Sequence, residues 1–523
     1  MSIRFGIVLS IALLLGACAQ VEPLSGGEQD RIAPKPNMEK MSPPNGSTNY
    51  SGNQISIPFD EFIRLNNPGE NIIVIPPDIK PKAKIKNKTI VLSWDETMKP
   101  NTTYAFYLNG AIQDYAEKND SLMSFVVSTG TTIDSLTSTF TVRDAFSKEP
   151  LSNQTVGFYE VFSDTILPNY FSKTDQFGKA TLSYMKPGEY ELVTFSDLNK
   201  NLKPEKNEGF GFRMGKINLT ESTADSIPVL LSPAEQTPQI TTLKLNPPGS
   251  LIIGANHSLK NSIITLNGQN LPEESFVYYS NDSLLAPFSY SDSTNYELIV
   301  ENADWADTSS FRMTQGEKNA AFSLSLRKKT AFFHDETIVL VANQHLSSID
   351  IPSVTLMNAA DSSAIPIWRI KLRGATIELD FDRKSEIKSV WLKIPASTIL
   401  AEHNRNEDTL LFKIDCLTAK EVGVLNVQFE GYETAIIVDL VSKGKLVNRI
   451  AFEKGTESHT YKNLAPGEYS FRITIDENEN GRWDGGGYSK QKLPEDVRIY
   501  LKTQKVRGNW ETDILLKKEG DGE

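Results

Sequence analysis

The sequence is poor in the residues that build most catalytic and metal sites. Of 523 residues, two are cysteine and five are histidine. The histidines occur singly, and no Gly-x-Ser-x-Gly elbow, phosphate-binding glycine loop or Cys-x-x-Cys motif is present. Because two cysteines cannot form a disulfide scaffold, stability must come from buried apolar cores. These absences predict a protein that is not an enzyme.

Long apolar runs and an excess of positive charge are also lacking. After the first residues, the chain has no run of about 18 apolar residues, the length that a membrane-spanning helix needs. The formal net charge of −12 argues against a nucleic-acid partner, since phosphate binding requires clustered Lys and Arg. The hydrophobic (39%) and charged (23%) fractions are those of a folded globular chain.

The chain begins with the features of an export signal. Arg4 supplies a basic start, Phe5–Leu15 form an apolar core too short to span a bilayer, and Gly16-Ala17-Cys18 follow. This order resembles the lipobox of bacterial lipoproteins. The resemblance implies that residues 1–17 are removed and that acylated Cys18 anchors the chain in a membrane. Gln20, and not Asp, stands at the second position after Cys18, which by the sorting rule known for some lipoproteins implies the outer membrane, facing the periplasm or the cell surface. The alternative is an ordinary secretory signal with an incidental cysteine.

The rest of the chain has the pattern of short β-strands. Ile55–Phe59 and Thr137–Val142 alternate apolar and polar residues, and a turn at Arg373-Gly374 joins Ile370–Leu372 to Ile377–Phe381 as a hairpin. Segments with a 3.6-residue period are scarce. We therefore predict an all-β chain of tandem sandwiches, each of about 100 residues, after a flexible tether at 18–32.

The segment 33–131 contains a recognisable sequence pattern. It includes Ser42–Ser47, Ile55–Glu61, Lys99–Tyr104 and a closing Phe125–Gly130. This pattern resembles the bacterial Ig-like domain first described in S-layer proteins. The resemblance implies a spacer or adhesive module, and it brings no catalytic residues.

The segment 136–235 has a different sequence pattern. Thr174–Ala180 contains a turn, and Lys186–Tyr190 contains a second turn that leads into a strand. The segment is similar to the carboxypeptidase-regulatory-like, or prealbumin-like, sandwich. The resemblance implies an accessory module without chemistry of its own.

The far end of the chain repeats both domain types. Leu464–Tyr469 repeats Met185–Tyr190 at an offset of 279 positions, and Ala375–Leu379 matches Lys88–Leu92 at an offset of 287. We interpret this as a duplicated Ig-like plus prealbumin-like block. The further predicted domains are a β-sandwich of unknown family at 238–328, a degenerate Ig-like sandwich at 329–419 and a prealbumin-like sandwich at 421–518.

Oxygen-bearing side chains recur at alternate positions near the end of the chain, as in loops that wrap a hard cation. The candidate Ca²⁺ ligands there are Asp476, Asn478, Asn480 and Asp484. The equivalent earlier loop offers Asp197, Asn199 and Asn201. Where an EF-hand loop has a twelfth-position Glu, the last loop has Gly487; the earlier loop has Glu208 there but lacks the glycine of the sixth position. The alternative is a pair of Asx turns that bond to their own backbone.

One stretch is strongly cationic. Lysines stand at alternate positions, which on a strand would place five ammonium groups on one face: Lys80, Lys82, Lys84, Lys86 and Lys88. We interpret this face as a solvated outer face that discourages pairing between sheet edges. The alternative is a face that meets lipid A phosphates or an acidic polysaccharide.

Taken together, the sequence predicts a lipid-anchored envelope protein that acts as a non-catalytic scaffold, adhesion or binding stalk. The expected partners are the membrane, through the N-terminal lipid, and an envelope protein or a glycan. A ligand site would lie at the loop end of the last sandwich, near Tyr469, Trp483 and Tyr488. The alternative function is a carbohydrate-binding lipoprotein of a glycan-uptake system, which would display two or three exposed coplanar aromatic rings.

Overall fold

Strands account for most of the described chain, as the alternating sequence predicts. The computed structural model describes residues 31–518 except positions 224, 235, 292, 304, 329–330, 334–335, 382–386 and 488–491. The predicted signal peptide and Cys18 lie outside these residues. Besides two four-residue α-helices there are 3₁₀ turns at Met38–Lys40, Glu273–Ser275, Ile351–Ser353 and Ala419–Glu421. Within the described ranges, no helix has the length and hydropathy needed to cross a membrane.

The chain divides into two units. The first contains the residues up to Asp144 together with Lys148–Leu231, and the second contains Ala145–Ser147 and the residues from Ser232 onward. Among the described residues, the first unit holds two β-sandwiches, and the second unit holds three.

The first sandwich packs a three-stranded sheet against a four-stranded sheet. Its elements are β1 Gln54–Pro58, β2 Ile63–Leu65, α1 Pro68–Asn71, β3 Ile72–Ile75, β4 Lys82–Lys86, β5 Thr89–Ser93, β6 Thr103–Asp114 and β7 Asp120–Ser128. One sheet has the order β1-β5-β4, and the other has the order β2-β6-β3 with β7 paired to β6. The alternating residues Ile55 and Ile57 face inward, where Trp94 and Phe106 complete the core.

The second sandwich also has two sheets. Its strands are β8 Leu136–Asp144, β9 Thr155–Tyr159, β10 Tyr170–Lys173, β11 Lys179–Met185, β12 Gly188–Phe195, β13 Phe210–Phe212, β14 Ile217–Leu219 and β15 Ile227–Leu231. The orders are β10-β9-β12-β13, with β14 on β12, and β11-β8-β15. The last strand runs parallel to β8. Phe140, Phe158 and Tyr190 fill the core between the sheets.

The third sandwich begins the main part of the second unit. Its elements are β16 Ile240–Asn246, β17 Ser250–Ala255, β18 Ile263–Leu266, β19 Gln269–Asn270, β20 Val277–Ser280, β21 Ser283–Pro287, β22 Asn295–Glu301, β23 Ala306–Arg312 and α2 Gln315–Lys318. Two four-stranded sheets, β16-β17-β21-β20 and β19-β18-β22-β23, enclose a core that includes Leu251, Leu298 and Phe288.

The fourth sandwich contains the predicted hairpin. Its strands are β24 Leu324–Leu326, β25 Phe332–Phe333, β26 Ile338–Ala342, β27 Leu346–Ile349, β28 Thr355–Asn358, β29 Ile367–Arg373, β30 Thr376–Phe381, β31 Ser389–Ile394, β32 Ile399–Ala401 and β33 Leu410–Leu417. The orders are β24-β26-β30-β29 and β25-β33-β31-β28, and β27 pairs with β32. The β29–β30 pair confirms the hairpin that the sequence around Gly374 predicts.

The fifth sandwich closes the described chain. Its strands are β34 Gly423–Glu430, β35 Ala435–Ser442, β36 Lys445–Phe452, β37 Ser458–Leu464, β38 Gly467–Asp476, β39 Val497–Val506 and β40 Glu511–Lys517. The orders are β37-β34-β40 and β36-β35-β38-β39, and β40 runs parallel to β34. Val438, Phe471 and Ile473 are among its core residues.

The strand orders of the sandwiches correspond in pairs. In the fifth sandwich β34 to β39 repeat the arrangement of β8 to β13, and in both sandwiches the closing strand runs parallel to the opening one. The fourth sandwich repeats the first in a similar way, since β26-β30-β29 corresponds to β1-β5-β4 and β28-β31-β33 to β3-β6-β7. Topology thus matches where the sequence similarity is weak.

Candidate functional site

The four candidate calcium ligands of the last sandwich lie together in the turn that follows β38. The carboxylate of Asp476 is buried and accepts hydrogen bonds from the backbone N–H of Asn480 (3.1 Å) and Gly481 (2.8 Å). The side-chain amides of Asn478 and Asn480 donate to Oδ2 of Asp484, at 2.5 and 2.9 Å. The structure therefore brings together the residues that the sequence singled out, in a turn closed by its own hydrogen bonds.

The earlier loop is built in the same way. Oδ1 of Asp197 accepts from the backbone N–H of Leu202 at 3.3 Å. The side-chain amides of Asn199 and Asn201 both donate to Oε1 of Glu205, each at 2.9 Å. Glu205 thus accepts the same pair of amide hydrogen bonds that Asp484 accepts in the last sandwich. The sequence reasoning did not identify Glu205, although positions 205 and 484 are related by the offset of 279.

A buried glutamate supports each of these loops. Glu208 accepts from the N–H of Leu198 at 2.7 Å, and Glu495 accepts from the N–H groups of Glu477 and Asp484 at 3.1 and 2.9 Å. Burial raises the pKa of both carboxyl groups. Glu495 was not identified from the sequence, because a longer connection places it beyond the twelfth position.

The loop oxygens already serve the backbone of the turns. Oδ1 of Asn478 accepts from the N–H of Asn480, and Oδ1 of Asn480 accepts from that of Arg482, as in Asx turns. In contrast, Oδ2 of Asp197 is buried and has no hydrogen-bond partner among the described residues. Across the described ranges, no group of three or more His, Cys, Asp or Glu side chains is placed to hold a metal ion. Calcium binding by these loops stays a prediction.

The predicted aromatic ligand surface of the last sandwich is not assembled as expected. Tyr469 is buried, and its hydroxyl donates to the carbonyl of Ala465 at 2.7 Å, just as Tyr190 donates to Lys186 at 2.9 Å. The prediction that Tyr469 contributes to a ligand surface was therefore wrong: the repeated Pro-Gly-Glu-Tyr motif ties a turn to the core. Trp483 is half-buried and donates from Nε1 to the carbonyl of Glu495, while Tyr488 lies outside the described residues.

A charged cluster crosses the larger sheet of the fifth sandwich. Asp439 on β35 is cross-strand partner to Arg449 on β36 and to Arg472 on β38. Arg449 contacts both carboxylate oxygens at 2.6 and 2.9 Å, and Arg472 contacts Oδ2 with two nitrogens at 2.9 and 2.6 Å. Burial opposes ionisation of Asp439, but the hydrogen bonds from the two guanidinium groups outweigh it and hold its pKa below the usual value. The cluster joins three strands.

A cleft lies where the third and fourth sandwiches meet within the second unit. Its volume is about 340 Å³. Leu266, Pro287, Phe288 and Tyr296 are buried residues that supply an apolar lining. The polar lining comes from exposed side chains, namely Asn267, Gln269, Asn270, Ser289, His345 and Glu402. Amides, hydroxyls and the carboxylate of Glu402 beside aromatic rings are suited to a small polar ligand.

Hydrogen bonds fix the polar side chains of this cleft. Oδ1 of Asn267 accepts from the N–H of Glu297 at 2.8 Å, and Oδ1 of Asn270 accepts from the hydroxyl of Thr265 at 3.1 Å. No hydrogen bond from their NH₂ groups is formed among the described residues, so these groups are available as donors. Ser289 Oγ donates to Glu402 across the junction of the two sandwiches. The cleft is thus pre-formed, and sequence reasoning missed it because its walls come from positions more than 100 residues apart.

The lysine row is shorter than the sequence predicted. β4 contains Lys82, Lys84 and Lys86, which alternate outward on an edge strand. Lys80 precedes the strand, and Lys88 lies in the β4–β5 turn with Asn87, which has φ of 55°. The prediction of five lysines on one strand face was wrong, because this turn ends the strand after the third lysine.

Three solved structures show what the chain resembles. The first is the surface layer protein SbsC, domains 1–6, with 10% identity and a TM-score of 0.15; the match covers 94% of this chain and 67% of that one. The second is the major pilin subunit BcpA of Bacillus cereus, with 8% identity and a TM-score of 0.17; the match covers 73% of this chain and 99% of that one. The third is SGBP-B of the Bacteroides ovatus mixed-linkage glucan utilization locus, in complex with a heptasaccharide, with 12% identity and a TM-score of 0.20; the match covers 71% of this chain and 91% of that one. With TM-scores of 0.15 to 0.20, these likenesses carry no argument about this chain.

The comparison of sequences gives a more local result. No curated protein matches the chain. The matching family model covers the whole first sandwich and β8, in agreement with the resemblance drawn from the residues of that segment. Residues 32–147 match the family described as Bacterial Ig-like domain.

Proposed function

We propose that this chain is a cell-envelope protein, anchored in the outer membrane through acylated Cys18, that acts as a non-catalytic scaffold or adhesion stalk. The export signal with its lipobox pattern supports the anchor, and the bacterial Ig-like domain next to the tether supports a role as spacer. In this role the sandwiches hold a binding surface at a distance from the membrane and convert no substrate.

The observation that carries this proposal is the way neighbouring sandwiches join. In the first unit, Ile75 of β3 is buried within the core of the second sandwich, with Ile73 and Tyr107 packed beside it. In the second unit, Val277 and Leu285 of the third sandwich pack with Val341 and Ala375 of the fourth. Within each unit, apolar junctions of this kind restrict the motion between joined sandwiches that a flexible linker would permit, as expected of modules that serve as spacers.

The anchor is tested on protein extracted from membranes of the native host. We expect the N-terminal peptide to begin at Cys18 with the mass of attached acyl chains, and the protein to enter the detergent phase of a Triton X-114 separation. Cys18→Ala should leave the protein in the aqueous phase with its sandwiches folded. An unmodified N-terminus on the membrane-extracted protein would refute the proposal.

A second candidate function, glycan binding, is favoured by the cleft between the third and fourth sandwiches. Its aromatic lining and amide donors match the mixed apolar and polar faces of a sugar. Among the described residues, the exposed tryptophans are dispersed: Trp368 on β29 and Trp391 on β31 belong to different sheets of the fourth sandwich, and Trp510 precedes β40 in the fifth. The cleft is therefore the site to test.

Affinity electrophoresis of the full chain through gels with single neutral polysaccharides tests this function. We expect retardation by one polysaccharide, and a loss of that retardation in the double variant Glu402→Gln, Asn270→Ala. Asn218→Ala, an exposed amide of the second sandwich, is the matched control. Retardation that persists in the double variant, or none with any polysaccharide, would exclude the cleft as a glycan site.

A further inference from the structure

One end of the first sandwich carries an exposed apolar surface. Phe62 and Tyr115 are 59% and 75% exposed, and they line an open concavity of about 640 Å³ with Lys88. Ile32, which is 60% exposed, lies near them, since its carbonyl accepts from the side chain of Asn119 at 3.5 Å. We call Ile32, Phe62, Lys88 and Tyr115 the aromatic patch.

The patch is held rigidly. The backbone N–H of Tyr115 donates to the carbonyl of Phe62 at 3.2 Å, which joins the two aromatic positions. Next to them, Asp114 is buried and its carboxylate accepts from the N–H groups of Glu117, Lys118 and Asn119 at 2.6 to 2.9 Å. The turn that displays Tyr115 is therefore pre-organised. A surface built in this way loses little conformational freedom when it binds.

Positive charge accompanies the exposed rings. Nζ of Lys88 lies 5.2 Å from the centroid of the Phe62 ring and donates to the carbonyl of Asp60 at 2.7 Å. The lysines of β4 precede the β4–β5 turn that contains Lys88, so ammonium groups continue from the patch along the edge of the sheet. An aromatic ring beside a long cationic side chain is the pairing found where proteins meet the headgroup region of a bilayer.

The patch lies at the end of the sandwich where the chain enters from the tether. The backbone N–H of Lys35 donates to Asp60 at 2.9 Å, which fixes the entering segment beside the strand end that precedes Phe62. Only 13 residues separate Cys18 from Ile32. Such a tether has a root-mean-square length of roughly 20 Å and a limit of about 45 Å. The lipid anchor would therefore keep the patch close to the membrane at high effective concentration.

We propose that the aromatic patch docks on the phospholipid bilayer that holds the anchor, with Phe62 and Tyr115 in the headgroup region and Lys88 against lipid phosphates. This inference rests on the proposed lipid attachment and adds to it an orientation: the first sandwich lies on the membrane rather than swinging from it. A second copy of the chain is a poorer occupant, because a stable dimer buries about 800 Å² on each partner, more than these few side chains offer.

The test uses the full acylated chain in vesicles of phosphatidylethanolamine with phosphatidylglycerol. Acylation occupies Cys18 and Cys416 is buried, so Phe62→Cys, Tyr115→Cys and the control Phe177→Cys each supply one accessible thiol for a nitroxide label. Phe177 is equally exposed, in a turn of the second sandwich. We expect labels at 62 and 115 to collide more with oxygen and less with an aqueous nickel complex than in the unacylated Cys18→Ala chain in buffer. The label at 177 should not change.

A label at Ala116 gives a second measurement with both aromatic side chains intact. In the Phe62→Ser, Tyr115→Ser background we expect the membrane-docked population to fall about tenfold, while Phe177→Ser leaves it unchanged. Chains that float with vesicles but keep aqueous labels at 62 and 115 would overturn the docking and leave the anchor standing. Chains that fail to float would refute the anchor itself. Labels already shielded in buffer would show that the tether or a second copy covers the patch, which also overturns the inference.

Discussion

Gly374 lies directly against Ser275, where the fourth sandwich meets the third. A Cβ atom at position 374 would come within 2.7 Å of the Cα atom of Ser275. Gly374 also has a φ of +57°, a conformation that side chains disfavour. The turn that the sequence predicts as a hairpin signal therefore has a second role, since its glycine lets two sandwiches approach at the backbone.

Gly374→Ala should loosen this junction. Strain at positive φ costs about 1 kcal/mol, and the overlap with Ser275 adds about 1–3 kcal/mol. Gly444→Ala is the matched control, because Gly444 also occupies a hairpin turn with φ of +72°, but a Cβ atom added there would meet nothing within 4 Å. Urea unfolding of both variants should show the larger loss for Gly374→Ala. Equal losses would mean that the junction does not resist the extra methyl group.

The Asp439 cluster should dominate the electrostatic stability of the fifth sandwich. Asp439→Asn leaves Arg449 and Arg472 without their common carboxylate, which we expect to cost about 3 kcal/mol. The control is Asp496→Asn, which breaks an exposed pair with Arg498 at 2.8 Å in the same sandwich and should cost less than about 1 kcal/mol. Chemical denaturation measures both. If the two losses were alike, the cluster would be no more than a surface ion pair.

Asp439 also makes the free energy of unfolding depend on pH, and this contribution can be measured by comparison with Asp439→Asn. Its pKa is lower in the folded chain than in the unfolded one, so the unfolded state takes up the proton first. The stabilisation is complete above the ordinary aspartate pKa of about 4 and is lost as the pH falls towards the depressed value. The difference in unfolding free energy between wild type and Asp439→Asn should shrink over that interval. A difference that stays constant with pH would contradict the depressed pKa.

Much of the fold could be predicted because its signals are local. The alternation of Ile55 and Ile57, the hairpin at Gly374 and the repeated Pro-Gly-Glu-Tyr turns each depend on residues close in sequence. The burial of Tyr469 could not be read in this way, since a tyrosine after a turn looks exposed until its hydroxyl is seen to cap Ala465. The prediction of five lysines on one strand face was wrong for a related reason, because Asn87, in a left-handed conformation, ends the strand.

The candidate sites were harder to predict because they depend on tertiary structure. The Asp476 loop was found from spacing, whereas its support by Glu495 needed the fold to bring β39 back beside β38. The cleft joins residues near Asn267 to Glu402, and nothing in either stretch alone indicates a site. The aromatic patch likewise depends on the pairing of Phe62 with Tyr115 across 53 positions of sequence.

Calcium should stabilise the two Asp-Asn loops, and the strongest reason lies in the second sandwich. Oδ2 of Asp197 is buried without a hydrogen-bond partner among the described residues, a costly state that a bound cation would relieve. Because amides replace several of the usual carboxylates, we expect weak binding, with a Kd of about 10⁻⁴–10⁻³ M. Millimolar calcium should raise the unfolding temperature relative to EDTA in wild type, and by less in Asp197→Asn and Asp484→Asn.

The control for this prediction is Asp175→Asn. Asp175 accepts from the N–H groups of Phe177 and Lys179, each at 2.9 Å, and thus closes an Asx turn in the same sandwich as Asp197. This substitution should lower the unfolding temperature equally in calcium and in EDTA, because a turn held by hydrogen bonds alone has no reason to respond to the metal. If Asp197→Asn and Asp484→Asn behaved as Asp175→Asn does, the two loops would be hydrogen-bonded turns and the calcium prediction would be wrong.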